Sequence, residues 1–114
     1  MDLQYNLVLE SFSSQKRNTI IYKVQTSIHN AGAWIIDFSN LSDKLINFVI
    51  ECEGARMEQL ISSLKKANIE FYQYSLDQFE DMISRKKNGE FIVSLNINFV
   101  GGEKGDLGTM IDDN

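Results

Sequence analysis

One stretch near the C-terminal end constrains this chain more than any other. Over residues 90–100, Phe91, Val93, Leu95, Ile97 and Phe99 alternate with Ser94, Asn96 and Asn98. A period of two is the spacing of a β-strand, in which successive side chains point to opposite faces; a helix would scatter the same residues around its axis. A strand of that length cannot stand alone, because its unpaired N–H and C=O groups would recruit another edge. The fold must therefore supply a sheet.

Further strands follow from the same rule. Leu3, Tyr5, Leu7 and Leu9 alternate over residues 3–10, with Val8 on the other face. Residues 33–39 place Trp34, Ile36 and Phe38 on one face, and residues 45–51 place Ile46, Phe48 and Ile50 together, with Leu45 and Val49 opposite. Asn40, Leu41, Ser42, Asp43 and Lys44 form the turn between these two strands. A fourth, aromatic-rich strand is predicted over residues 69–74.

Between the strands the period changes to that of a helix. Ser13 and Ser14 offer hydroxyls to start one, and Ile20, Val24, Ile28 and Ala31 recur on one stripe before Gly32 ends it. Gly54 breaks the third strand, and residues 55–67 carry Met57, Leu60, Ile61, Leu64 and Ala67 inward, with Asn68 as terminator. Ser75 and Gln78 read as a capping box for a third helix bearing Leu76, Phe79, Met82 and Ile83, closed by Arg85, Lys86, Lys87 and an Asn88-Gly89 turn.

The order β-α-β-β-α-β, then α-β, predicts an α+β fold. Its body is a ferredoxin-like βαββαβ antiparallel sheet with helices on one face, followed by a C-terminal α-β extension. The first and third strands are expected at its centre. At 114 residues and 43% hydrophobic content, residues 1–100 suffice for one core and read as a single domain. Residues 101–114, rich in Gly and acidic side chains, read as a flexible tail in which Leu107, Met110 and Ile111 are candidates for docking on a partner.

In a lone two-layer domain the sheet face away from the helices is wetted and should be polar. Here Val8, Ile35, Leu45 and Val49 fall in registers opposite the larger apolar sets. A second copy of the chain is the expected cover, with Ile35, Leu45, Val49 and the row Phe91, Val93, Leu95, Ile97 and Phe99 as its interface.

Over residues 20–74 the pattern resembles ACT-type regulatory domains. The likeness is carried by Ile28-His29-Asn30-Ala31-Gly32-Ala33-Trp34-Ile35-Ile36-Asp37, by the apolar strand ending at Glu51, and by the helix ending in Ala67-Asn68-Ile69. The resemblance implies a βαββαβ module that pairs through its sheet and holds an amino acid at the seam. Many ACT domains place an acidic residue and a Pro-Gly in the first strand-to-helix loop. This chain reads Glu10-Ser11-Phe12-Ser13-Ser14, so no ligand residue is carried across.

Composition narrows the chemistry. Cys52 is alone, so no intramolecular disulfide forms, and no Cys/His cluster is spaced for zinc. No run approaches the length of a membrane span and the start does not read as a signal peptide, which gives a cytoplasmic expectation without a membrane partner. A formal charge of −5, from 16 acidic and 11 basic residues, argues against nonspecific nucleic-acid binding. Phe71, Tyr72 and Tyr74 could stack bases, but the third strand presents Asn47, Val49 and Glu51 rather than aromatic and basic residues.

Two candidate sites remain. Gly54 and Arg56 lie at a strand-to-helix junction, where an arginine and free amides suit a carboxylate or phosphate. His29, the single imidazole, sits at a helix end. No catalytic constellation, metal site or cofactor motif is expected. The sequence thus reads as a non-enzymatic regulatory or protein-interaction module acting as a homodimer. The alternative is an ACT-type sensor of an amino acid or other carboxylate.

Overall fold

The computed structural model describes residues 4–86 and 88–101. Leu3 of the first expected strand, Lys87, and residues 102–114 of the expected tail, including Leu107, Met110 and Ile111, lie outside the described residues. The elements run β1 (Gln4–Ser13), α1 (Arg17–Asn30), β2 (Trp34–Ser42), β3 (Leu45–Glu53), α2 (Met57–Lys66), β4 (Glu70–Phe71), α3 (Gln73–Lys86) and β5 (Glu90–Phe99), with one 3₁₀ turn at Gly54–Arg56.

The chain is a mixed α+β fold with one five-stranded sheet in the order β2-β3-β5-β1-β4. The pairs β2–β3, β3–β5 and β1–β4 are antiparallel, whereas β1 and β5 run parallel. This corrects the expected ferredoxin-like order. β1 and β3 are not neighbours: β5 lies between them, pairing with β1 from Gln4↔Glu90 to Ser13↔Phe99 and with β3 from Leu45↔Asn98 to Glu53↔Glu90. The reason lies in the composition of β5. Phe91, Val93, Leu95 and Ile97 are all buried, and a row that apolar is most stabilised in the middle of a sheet, where both edges are also paired.

One contiguous core holds the fold together. From the sheet it takes Leu7 and Leu9 of β1, Ile46, Phe48, Ile50 and Cys52 of β3, and the same four residues of β5. From the helices it takes Ile20, Val24 and Ile28 of α1, Met57, Leu60, Ile61 and Leu64 of α2, and Phe79 and Ile83 of α3. All three helices therefore cover the same face. Phe91, Val93, Leu95 and Ile97 belong to this interior, and Phe99 packs against it, partly buried. The expectation that the apolar row of β5 meets a second copy is corrected on that ground, since the chain's own helices already cover it.

Local departures have local causes. β2 is irregular between Ile35 and Asp37, which shifts its phase by one residue. Ile35 and Phe38 then align with Ile50 and Phe48 on the helix side, while Trp34 and Asp37 align with Glu51 and Val49 on the open side. Ile35 is thus removed from the predicted open-face set. A second irregularity lies between Asn40 and Ser42, and the Asp37 carboxylate accepts the Phe38 N–H at 2.9 Å. Bulges and a capped N–H are the devices by which an edge strand resists further pairing.

β1 extends through Ser13 because Ser11 and Ser13 tolerate burial: the Ser11 hydroxyl donates to the Asn96 carbonyl at 2.7 Å, and the Ser13 hydroxyl accepts the Gln15 N–H at 3.2 Å. Ser13 therefore shapes the turn, and α1 begins after Lys16 with no side-chain cap. The predicted fourth strand shrinks to two residues because the Tyr72 carbonyl accepts the N–H groups of Ser75 and Leu76, opening α3 early. Ser75, inside that helix, does not cap it. Its hydroxyl accepts the Glu10 N–H at 2.8 Å. Gly32 and Asn68 end their helices as expected, with φ of 75° and 70°.

Candidate functional site

The predicted Gly54–Arg56 site does form part of a cleft, of about 290 Å³, lined by Gly32, Trp34, Glu51, Cys52, Glu53, Arg56 and Glu90. Its electrostatics differ from the expectation. Three glutamates and one arginine line it, and Arg56 Nε already lies 3.5 Å from Glu53 Oε1. Like charges repel an incoming carboxylate, so the lining suits a cation better than an anion. The Gly54 N–H donates to the Gly89 carbonyl at 2.8 Å and is not available to a ligand. His29 is exposed at the end of α1, outside this cleft, and its carbonyl accepts the Gly32 N–H. The structure does not bring His29 and Arg56 together as one site.

Cys52, at the back of the cleft, is inert. Burial pushes its thiol from 9.0 up to about 11, the Glu53 carboxylate adds to the rise, and Arg56 opposes it. A protonated thiol is a poor nucleophile near neutrality. Among the described residues, no three His, Cys, Asp or Glu side chains are grouped as a metal ion would require.

The face of the sheet opposite the helices carries no element of the fold over it. Val8 is 50% exposed there, and Leu45, Val49 and Ile92 are half-buried. Through its centre runs a polar ladder across three strands. Asn47 Nδ2 donates to Ser94 Oγ at 2.9 Å and to Asn96 Oδ1 at 2.8 Å, and Asn96 Nδ2 donates to Glu10 Oε2 at 3.0 Å. These groups satisfy one another, so covering them would orphan few donors. At the β1–β4 edge an aromatic run continues from Phe12 to Tyr72, with ring centroids 5.1 Å apart, and from Tyr72 to Tyr74 at 5.8 Å, nearly parallel. Trp34, 73% exposed, stands at the opposite edge.

A second, larger cleft of about 810 Å³ opens at the ends of β1 and β5. It is lined by residues 14–16 of the β1–α1 turn, Lys44 of the β2–β3 turn, Tyr72, and residues 98–101. Each segment is anchored. The Phe99 N–H donates to the Lys44 carbonyl at 2.8 Å, the Val100 N–H to the Ser13 carbonyl at 2.9 Å, and the Tyr72 N–H to the Glu10 carbonyl at 3.1 Å. Arg17 lies beside it, its guanidinium 5.4 Å from the Phe99 ring centroid and hydrogen-bonded to the Ser42 and Asp43 carbonyls and to Asn40.

The sequence reading missed this cleft, because Lys16 and Lys44 are 28 positions apart and meet only through β5, whose place in the sheet was not anticipated. No family model, curated protein or solved structure matches the chain. The ACT-type likeness therefore remains one of sequence pattern.

Proposed function

We propose that the chain is a non-enzymatic regulatory or interaction module that works as a homodimer, paired through the open face of its sheet. The observation that carries this reading is the uncovered set of Val8, Leu45, Val49 and Ile92 opposite a complete helical layer. Apolar side chains held in water are destabilising by roughly 25 cal/mol per Å² relative to burial, so these side chains, Val8 and Val49 flanking Ser94 and Leu45 beyond the polar row of Asn47, Asn96 and Glu10, favour a partner. The ladder of Asn47, Ser94, Asn96 and Glu10 supports a seam, because a self-satisfied polar strip fixes register without adding unpaired groups. A face-to-face arrangement also agrees with the bulged β2 edge, which opposes growth of the sheet sideways.

Light scattering after size exclusion at micromolar concentration tests the proposal. The expected particle is twice the 13.1 kDa chain. Val49→Asp places a carboxylate in the seam and should return the mass to that of one chain while leaving the circular dichroism spectrum unchanged. A wild-type particle of 13.1 kDa, or a dimer indifferent to Val49→Asp, rejects it.

A further inference from the structure

We infer that the cleft at the ends of β1 and β5 is a binding site for a small phosphate ester carrying a planar ring, a nucleoside monophosphate being the simplest member of that class. Its charge points this way. The chain carries a net −5, yet among the described residues no Asp or Glu lines this cleft, while Lys16 and Lys44 both do. The ion pairs among the described residues are Arg56–Glu53 and Arg85–Asp81, so neither lysine is paired with a described carboxylate within salt-bridge range. Two lysines lining one cleft from separate turns match the charge of a phosphate monoester, which offers several strong acceptors.

The rest of the lining suits the organic part. Tyr72, Phe99 and Val100 supply aromatic and apolar surface, and Asn98 supplies an amide for a ring edge. Tyr72 is held by the Phe12 and Tyr74 rings, so stacking on it costs little ordering. The volume, about 810 Å³, is within the range of small-molecule sites. The other clefts fit less well: the Arg56 cleft is dominated by carboxylates, and the one bounded by Arg17, Asn40, Ser42 and Asp43 is already bridged by Arg17 itself. The cleft between α1 and α2, which also holds two lysines and Tyr22, is less than half the volume at about 360 Å³, and its Lys23 ammonium already donates to Gln15 and Asn68.

The test is an NMR titration of the ¹⁵N-labelled full chain with AMP, and with adenosine and inorganic phosphate separately. Saturable shifts are expected at Lys16, Lys44, Tyr72 and Asn98, with adenosine and phosphate each binding at least about tenfold more weakly than AMP, the scale of one charge-assisted hydrogen bond. The double variant Lys16→Gln/Lys44→Gln should weaken AMP about tenfold or more at an unchanged melting temperature, since both lysines are exposed. Tyr72→Leu should weaken it severalfold.

Absence of saturable shifts at about 10 mM AMP, shifts centred elsewhere, adenosine binding as tightly as AMP, or a double variant that binds like the parent would each overturn the site. Binding of a single-stranded oligonucleotide at these residues with AMP silent would overturn it too, in favour of a polymer ligand. The site does not depend on self-association, so a monomeric chain that binds AMP at these residues rejects the dimer and leaves this inference standing.

Discussion

Replacing Gly32 with alanine separates two effects that meet at one residue. Gly32 has φ +75°, and a Cβ built there would lie 3.0 Å from Arg56 Nη1 and 3.3 Å from its Cδ and Cζ. The left-handed backbone costs a residue with a Cβ about 1–2 kcal/mol, whatever surrounds it. The steric part is smaller, because Arg56 is half exposed, with 51% of its side chain accessible, and can swing away. Moving it forfeits only an exposed pair with Glu53, worth about 0.2–1 kcal/mol. Gly32→Ala should therefore lose roughly 1.2–3 kcal/mol, which for a domain of this size lowers Tm by about 4–8 °C per kcal/mol.

The same substitution in an Arg56→Ala background removes the clash and keeps the backbone term, so about 1–2 kcal/mol of loss should persist. Thermal and urea unfolding followed by circular dichroism at 222 nm measure all four corners of the cycle. If Gly32→Ala stays within about 0.5 kcal/mol of the parent, the left-handed turn is not obligatory. If Arg56→Ala abolishes the whole cost, the contact governs this corner and the backbone argument fails.

Three other outcomes follow from named contacts. Ser75→Ala leaves the Glu10 N–H without its acceptor at a buried position and should cost about 1–3 kcal/mol in urea unfolding; a change under about 0.3 kcal/mol would mean that another group takes over. Cys52 should react slowly with Ellman's reagent at pH 8 in the native chain and quickly in urea, and equal rates would refute its burial. The folded chain holds that thiol proton more tightly than the unfolded chain, so its stabilisation is complete below pH 9 and falls away as pH rises toward about 11. A stability curve flat between pH 8 and 11 in the wild type, or one equally sloped in Cys52→Ala, would contradict that assignment.

What the sequence disclosed was local and periodic. The buried registers of β3 and β5, the stripes of α1 and α2, and the left-handed ends at Gly32 and Asn68 follow from spacing and side-chain chemistry alone. What it concealed was relational. The apolar row of residues 90–99 favours a central position, but nothing in it says which neighbours flank it. The slip in β2 was hidden because an unbroken count puts Trp34 and Phe38 on one face, whereas the extra residue at Ile36 is visible only once β3 fixes the register. Ser75 misled for a different reason: a hydroxyl three residues before Gln78 is a fair cap, but the N–H of Glu10, which meets the buried Ser75 side chain, was the more demanding partner. For the sites, Arg56 was found and its charge environment was not, since Glu90 enters that cleft from a strand that the linear order places far away.

Because β5 is translated after every other strand yet occupies the middle of the sheet, a growing chain emerges as two separate halves. The hairpin of β2 and β3 is one, and β1 with its short neighbour β4 is the other. Each half must keep one long flank and an oily surface bare until residues 90–99 leave the ribosome and slot between them. The waiting interval exposes the chain to misjoining with other nascent copies, and the blunted outer border of β2 protects only the flank that will never be filled.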